Sequence, residues 1–195
     1  MVSDFLRRTS RPVLQSLARG LAQLGFSPNL LTLIGLLLNV GVGVLLALGH
    51  LRLGGALLLP VSLFDSLDGA VARYTNRVTK FGAFLDSTID RYEEAALFCG
   101  LMWYFATIGL RQEVVLTGVA LFGSLAVSYT RARAEGLGIE CKVGLFTRVE
   151  RIVVLALGLI LGLPLITLWV LAVLTHFTAL QRIWHVRRVT TDEHR

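Results

Sequence analysis

Six stretches of nearly continuous apolar sequence, separated by short polar or basic segments, dominate the chain. They run roughly Leu30–Leu48, Leu53–Arg73, Phe81–Phe105, Val114–Ala134, Phe146–Leu163 and Pro164–Ile183. Each is near the length a helix needs to cross a bilayer, about 20 residues. The pattern predicts an all-α integral membrane protein with six transmembrane helices. The last two stretches adjoin, and Ile152 to Leu174 could be one helix. Gly158, Gly162 and Pro164 instead predict a tight turn between two. Residues 1–24 are too polar to span. There Phe5, Leu6, Val13, Leu14, Leu17, Leu21 and Leu24 recur with a helical period, with Arg7, Arg8, Arg11 and Arg19 off the stripe. This predicts an amphipathic helix lying in the membrane interface. No repeat, low-complexity tract or second domain interrupts the pattern. We therefore expect one membrane domain over residues 1–195: an interfacial helix at 1–24, a six-helix bundle at 30–184 and a tail at 185–195.

Composition agrees with this pattern. Of the 195 residues 54% are hydrophobic and 16% charged, against about a quarter charged in soluble domains. Mean hydropathy is +0.68. Of the 19 Lys and Arg residues, a six-helix arrangement leaves only Arg52 and Arg111 in loops on one side of the membrane. Nearly all the others gather on the opposite side, which places both termini in the cytoplasm of a multi-pass cell-membrane protein. A five-helix arrangement would export Arg182, Arg187 and Arg188, against that rule. The net charge of +6 points first to topology and anionic lipid. No nucleic acid is expected as a partner, since basic and aromatic residues are not interleaved. The N-terminus shows no signal-peptide cleavage pattern. Cys99 and Cys141 form neither a disulfide framework nor a metal motif, and His50, His176, His185 and His194 lack ligand spacing. Trp103, Trp169 and Trp184 read as belt or packing residues.

Four carboxylates break the apolar pattern. The chain reads Asp65-Ser-Leu-Asp68-Gly69-Ala-Val-Ala72-Arg73, then eight residues, then Gly82-Ala-Phe-Leu-Asp86-Ser-Thr-Ile-Asp90. On helices Asp65 and Asp68 share a face, as do Asp86 and Asp90. Buried carboxylates are costly unless neutralised, and a divalent cation does this efficiently. Pairing with Arg73, Arg77, Lys80 and Arg91 could also hold two helix ends together. Intramembrane acids in a matched set favour function over that reading. Gly69, Ala72 and Gly82, small and placed beside the acids, leave room for a ligand to approach. Ser27-Pro28-Asn29 reads as a helix start, with Ser27 as cap. Glu93 and Glu94 lie about one turn past Asp90, either as supports of the carboxylates or as packing partners of Arg91 or a neighbouring helix.

The chain resembles the CDP-alcohol phosphotransferases over essentially its whole length, meeting all eight fixed positions of D-x2-D-G-x2-A-R-x8-G-x3-D-x3-D. The resemblance implies six transmembrane helices, a homodimer and an active site at the cytoplasmic surface. It implies a divalent metal, Mg2+ or also Mn2+, held by Asp65, Asp68, Asp86 and Asp90, with Asp90 as general base. It also implies CDP-lipid binding by Pro28, Asn29, Asp68, Gly69, Ala72, Arg73, Thr79 and Gly82. The reaction so implied is attack of an alcohol on the lipid-side phosphorus, with CMP leaving. Positioning and electrostatics do most of the work in such transfers.

A second basic cluster bears on the acceptor. Arg131, Arg148, Arg151 and Arg182 fall at the cytoplasmic ends of three predicted helices. Positive-inside topology explains loop arginines well, but less well the pair Arg148 and Arg151 at the start of a span. Arginines converging from separate helices suit a doubly charged phosphate. This region resembles the phosphatidylinositol-phosphate synthases, which carry an ARAE stretch, an E-R-P-E-R stretch and a late Gln-Arg. That resemblance implies inositol 1-phosphate as acceptor and CDP-diacylglycerol as donor, with Arg131, Arg148 and/or Arg151, and Arg182 on the acceptor phosphate. Arg131 stands where Lys is typical, and Thr147-Arg148-Val149 replaces Glu-Arg-Pro. Rival readings are phosphatidylglycerophosphate synthase and the archaeol-lipid version of the inositol reaction. A metal transporter is disfavoured, because the acids cluster at one membrane edge and no paired broken helices appear.

Overall fold

The computed structural model describes residues 14–192. Seven helices form: α1 (residues 14–23), α2 (Pro28–Ala47), α3 (Leu51–Tyr74), α4 (Lys80–Thr107), α5 (Arg111–Gly136), α6 (Arg148–Ile160) and α7 (Pro164–Asp192). No strand occurs among the described residues. The six apolar segments each become one helix. The turn expected near Gly162 separates α6 from α7, with Gly162 at φ +73°, a conformation glycine adopts without steric cost.

Helices α2, α3, α5 and α7 are long and apolar enough to cross a membrane. The other two depart from that description. Helix α4 has ample length, 28 residues, but carries Asp86, Asp90, Arg91, Glu93 and Glu94. Helix α6 has 13 residues, about 20 Å at 1.5 Å per residue, short of a hydrocarbon core of about 30 Å. It begins at Arg148 rather than Phe146 because Thr147 is its N-cap, and Glu150 accepts from the Thr147 backbone N–H at 3.1 Å. Helix α7 continues to Asp192, through most of the segment expected as a tail.

The main helix–helix contacts run α2–α3–α6–α7–α5–α4 and back to α2. The six helices thus form a ring in which α4 and α6 face each other across the centre. Close approach within the ring is made by small residues, as membrane helices require. A Cβ at Gly43 would lie 2.6 Å from the Ala96 carbonyl oxygen, and one at Gly55 would lie 2.8 Å from that of Ala156. One end of the ring is filled by an apolar core that includes Leu46, Leu58, Leu101, Phe105, Leu155, Leu159 and Leu168. A smaller cluster at the other end seats α1, with Ala18 packed among Leu31, Leu67 and Val71. Leu14 and Leu21 of the expected amphipathic stripe join it, while Leu17 and Leu24 stay exposed. Phe5, Leu6, Arg7, Arg8, Arg11 and Val13 lie outside the described residues. Large apolar side chains such as Leu37, Trp103, Phe122 and Trp184 point outward from the ring, the surface a lipid-embedded bundle presents.

Candidate active site

The carboxylates lie on α3 and α4 about two to three turns in from the short loop that joins them. Asp65, Asp68 and Asp90 are each met by a specific partner. Asp68, 8% exposed, accepts from the Thr32 hydroxyl at 2.6 Å and from the Gly69 N–H at 2.5 Å. Asp65 accepts from Asn39 Nδ2 at 3.3 and 3.4 Å. Thr32, Gly35 and Asn39 share one face of α2. A Cβ at Gly35 would stand 2.6 Å from Asp65 Oδ1, so only glycine lets α2 come this close to the acid.

Arg148 enters this cluster from α6. Its Nη1 lies 2.6 Å from Asp90 Oδ1 and its Nη2 lies 3.2 Å from Asp65 Oδ2. It also pairs with Glu93, a residue only 2% exposed. Asp90 is further approached by Arg91 Nη2 at 3.4 Å. Asp86 lies in the field of Asp90, Asp68, Arg148 and Asp65. The donor set is chemically suited to a hard divalent ion, being all carboxylate oxygen. Among the described residues, no three His, Cys, Asp or Glu side chains are drawn together as a ready-made coordination group. Arg148 lies between Asp65 and Asp90.

The residues expected at the nucleotide gather at two helix starts. Ser27 caps α2 through the Leu30 N–H at 3.3 Å, with Pro28 in the first turn. Thr79 caps α4 through the Gly82 N–H at 2.9 Å. Among the described residues, a Cβ on Gly82 would meet Asn29 Oδ1 and Thr79 Oγ1, at 3.5 and 3.0 Å. On α3, exposed Arg73 folds back over Gly69, its Nη1 3.2 Å from where a Cβ would sit; Ala72 is half-buried. Gly43 and Gly55 press against backbone, whereas the nearest neighbours of Gly69 and Gly82 are the side-chain tips of Arg73, Thr79 and Asn29.

The four basic residues of the second cluster do not share one environment. Arg148 is in the carboxylate cluster. Arg151, 3% exposed, binds Glu94 through Nε at 3.1 Å and Nη2 at 2.5 Å. Arg182, 4% exposed, donates to the backbone carbonyls of Val143 and Val127. Arg131 is at the surface, paired with Glu135 at 2.8 Å. Thr32, Asn39 and Ser124 were not singled out in the sequence. An amide in the middle of the first apolar span is a signal that Asn39 has a polar partner.

Residues 26–181 match the family model for CDP-alcohol phosphatidyltransferase. The chain belongs to that family. It is accordingly a membrane-bound transferase. A phosphatidylinositol phosphate synthase from Mycobacteroides abscessus is 38% identical over 190 residues, covering 93% of this chain and 86% of that protein. An archaetidylinositol phosphate synthase from Methanothermobacter thermautotrophicus is 38% identical over 193 residues, covering 95% and 96%. The crystal structure of Mycobacterium tuberculosis phosphatidylinositol phosphate synthase with CDP-DAG bound superposes with a TM-score of 0.84 at 34% identity, over 90% of this chain and 94% of that one. The same enzyme in complex with manganese and citrate gives a TM-score of 0.82 at 34% identity, over 89% and 88%.

Proposed function

We propose that this protein transfers a phosphatidyl group from CDP-diacylglycerol to inositol 1-phosphate, giving phosphatidylinositol phosphate and CMP. The observation that carries this reading is the position of Arg148. A guanidinium suited to phosphate lies beside Asp90, the expected base, and within the carboxylate cluster. Relatives that match nearly the whole chain carry names specifying an inositol phosphate product with either lipid type.

Asp65, Asp68, Asp86 and Asp90 would hold a divalent ion, Mg2+ or Mn2+, which when bound neutralises charge on the pyrophosphate and on departing CMP. The family use of divalent metal and the manganese bound to the tuberculosis enzyme support this. Thr32 and Asn39 orient Asp68 and Asp65. Gly69, Ala72, Arg73 and Gly82, with Pro28, Asn29 and Thr79, form the CDP-lipid face. Arg148 holds the acceptor phosphate, with Arg151, Arg182 and Arg131 in its surroundings. Asp90 takes the proton of the inositol hydroxyl as that oxygen bonds to the lipid-side phosphorus. The phosphorus–oxygen bond to CMP breaks in the same transfer. We place the site on the cytoplasmic side of the cell membrane, with α1 in the interface, six membrane-crossing helices and a homodimeric assembly. The basic-residue asymmetry and the outward apolar faces support that arrangement.

The test is an acceptor screen with purified protein, divalent metal and a CDP-lipid, following CMP release. Inositol 1-phosphate should be used, and free inositol should be poor because it lacks the charge that Arg148 meets. Faster release with glycerol 3-phosphate would replace the acceptor assigned here. Comparing CDP-diacylglycerol with CDP-archaeol in the same assay decides the lipid.

A further inference from the structure

We infer that the buried Glu94–Arg151 pair is the positioning device that aims Arg148 at Asp65 and Asp90. The inference rests on the reading of Arg148 as the residue that receives the acceptor phosphate. Helices α4 and α6 face each other across the ring, each packed chiefly on other helices. Long charged side chains bridge the space between them. Arg148 and Arg151 are three residues apart and share one face of α6. Glu93 and Glu94, adjacent on α4, each receive one of them.

The two arms differ in what they leave free. Glu94 Oε1 accepts both Nε and Nη2 of Arg151 and also the Ser124 hydroxyl of α5, at 3.1 Å. Glu94 Oε2 lies 3.6 Å from Arg91 Nε, and Arg91 itself reaches Asp90. Arg151 Nη1 turns back to the Phe146 carbonyl at 3.5 Å. With both residues at most 4% exposed, this pair presents no free face to a ligand. Arg148, one turn nearer the helix start, keeps 24% of its side chain exposed. One carboxylate therefore joins α5, α6 and the neighbour of Asp90, and fixes where the half-buried Arg148 guanidinium lies. A buried ion pair is weak evidence of stability, but it can specify one arrangement over others. Here the arrangement specified is that of α6 relative to α4.

The experiment measures Michaelis constants and melting temperature on purified full-length protein with divalent metal. Replacing a buried pair with apolar residues of similar volume is often neutral or stabilising. The double variant Glu94→Leu/Arg151→Met should therefore melt near or above wild type. Its Michaelis constant for inositol 1-phosphate should nonetheless rise about tenfold or more, the size of losing one well-made hydrogen bond to a charged group. That for CDP-diacylglycerol should stay within about twofold. The single variant Glu94→Gln should show the same split. Combining it with Arg151→Gln should add little, since both act through one contact. Arg148→Gln serves as reference. If it raises the acceptor constant while the double variant behaves as wild type in both melting and kinetics, the pair is only a structural tie and the inference falls alone. If Arg148→Gln leaves the acceptor constant unchanged, the acceptor reading itself falls and takes the inference with it.

Discussion

Arg148 Nη1 and Asp90 Oδ1 are 2.6 Å apart, joining a helix expected to serve the acceptor to a helix expected to serve the metal and the base. An acceptor whose phosphate is held at Arg148 brings its hydroxyl close to Asp90. Holding reactants in such register is worth a large part of a transfer barrier. The same contact explains why Arg148 occurs at the first position of α6, where the short helix opens onto the carboxylates.

Asp90→Asn should therefore lower turnover by about 100-fold to 10,000-fold, the usual contribution of general acid–base catalysis. CDP-diacylglycerol binding, measured separately by calorimetry, should be largely retained. If binding weakens in proportion to turnover, Asp90 is chiefly a metal ligand and the base lies elsewhere.

Thr32 offers a cleaner probe of the metal. Its hydroxyl, 2.6 Å from Asp68 Oδ2, orients a carboxylate without itself being a ligand. Loss of such supports typically costs about 10-fold to 100-fold in metal affinity. Thr32→Val, close to isosteric, should weaken Mn2+ binding by that amount in a paramagnetic titration without substrate. Asn39→Leu should act similarly through Asp65. Unchanged Mn2+ affinity in both variants would remove α2 from the metal site.

The acids and the helices were legible in the sequence because each leaves a local trace. The eight signature positions lie within one stretch, and the apolar segments have lengths that match helices. What was not legible depends on neighbours distant in the chain. Arg151 and Arg182 look like Arg148 as isolated letters. Only the ring arrangement gives Arg151 to Glu94 and Arg182 to two backbone carbonyls. Glu93 and Glu94 were ambiguous for the same reason, since the α6 arginines they pair with lie more than fifty residues away. The short span of α6 was hidden because Phe146 and Leu163 extend its apolar run into cap and turn.

Gly100 faces the backbone of Gly43 so closely that any Cβ would overlap its carbonyl group. Gly100→Ala should destabilise by roughly 1–3 kcal/mol, the usual range for overpacking. At about 2–4 °C per kcal/mol for a chain of this size, a fall of several degrees in melting temperature is expected. Because the contact is in the apolar half of the ring, Michaelis constants for both substrates should hold. A variant with wild-type melting would show that α2 and α4 can separate here at little cost.

Arg182 holds the loop that precedes α6. Its Nε donates to the Val143 carbonyl at 3.0 Å, and Nη1 donates to that of Val127, tying the loop at Val143 and α5 at Val127 to α7. Gly144 lies under this strap at φ +129°, where a Cβ would stand 3.3 Å from Arg182 Nε. Arg182→Gln would remove the one side chain that bonds both the Val143 and the Val127 carbonyls and should let the start of α6, and Arg148 with it, drift. The Michaelis constant for inositol 1-phosphate should rise about 10-fold to 100-fold, as for loss of a charge-assisted bond worth roughly 1.5–3 kcal/mol. That for CDP-diacylglycerol should change little, because the residues proposed to bind the nucleotide lie on and between α2, α3 and α4, away from Arg182. Melting temperature without substrate should fall as well, since the strap is present before any ligand binds. Arg182→Lys is the informative companion: a single ammonium has the charge but not the fork that spans two carbonyls. If the lysine variant restores the acceptor constant while melting stays low, charge near the acceptor is what matters. If neither variant moves the acceptor constant, Arg182 holds the loop alone and leaves the acceptor set.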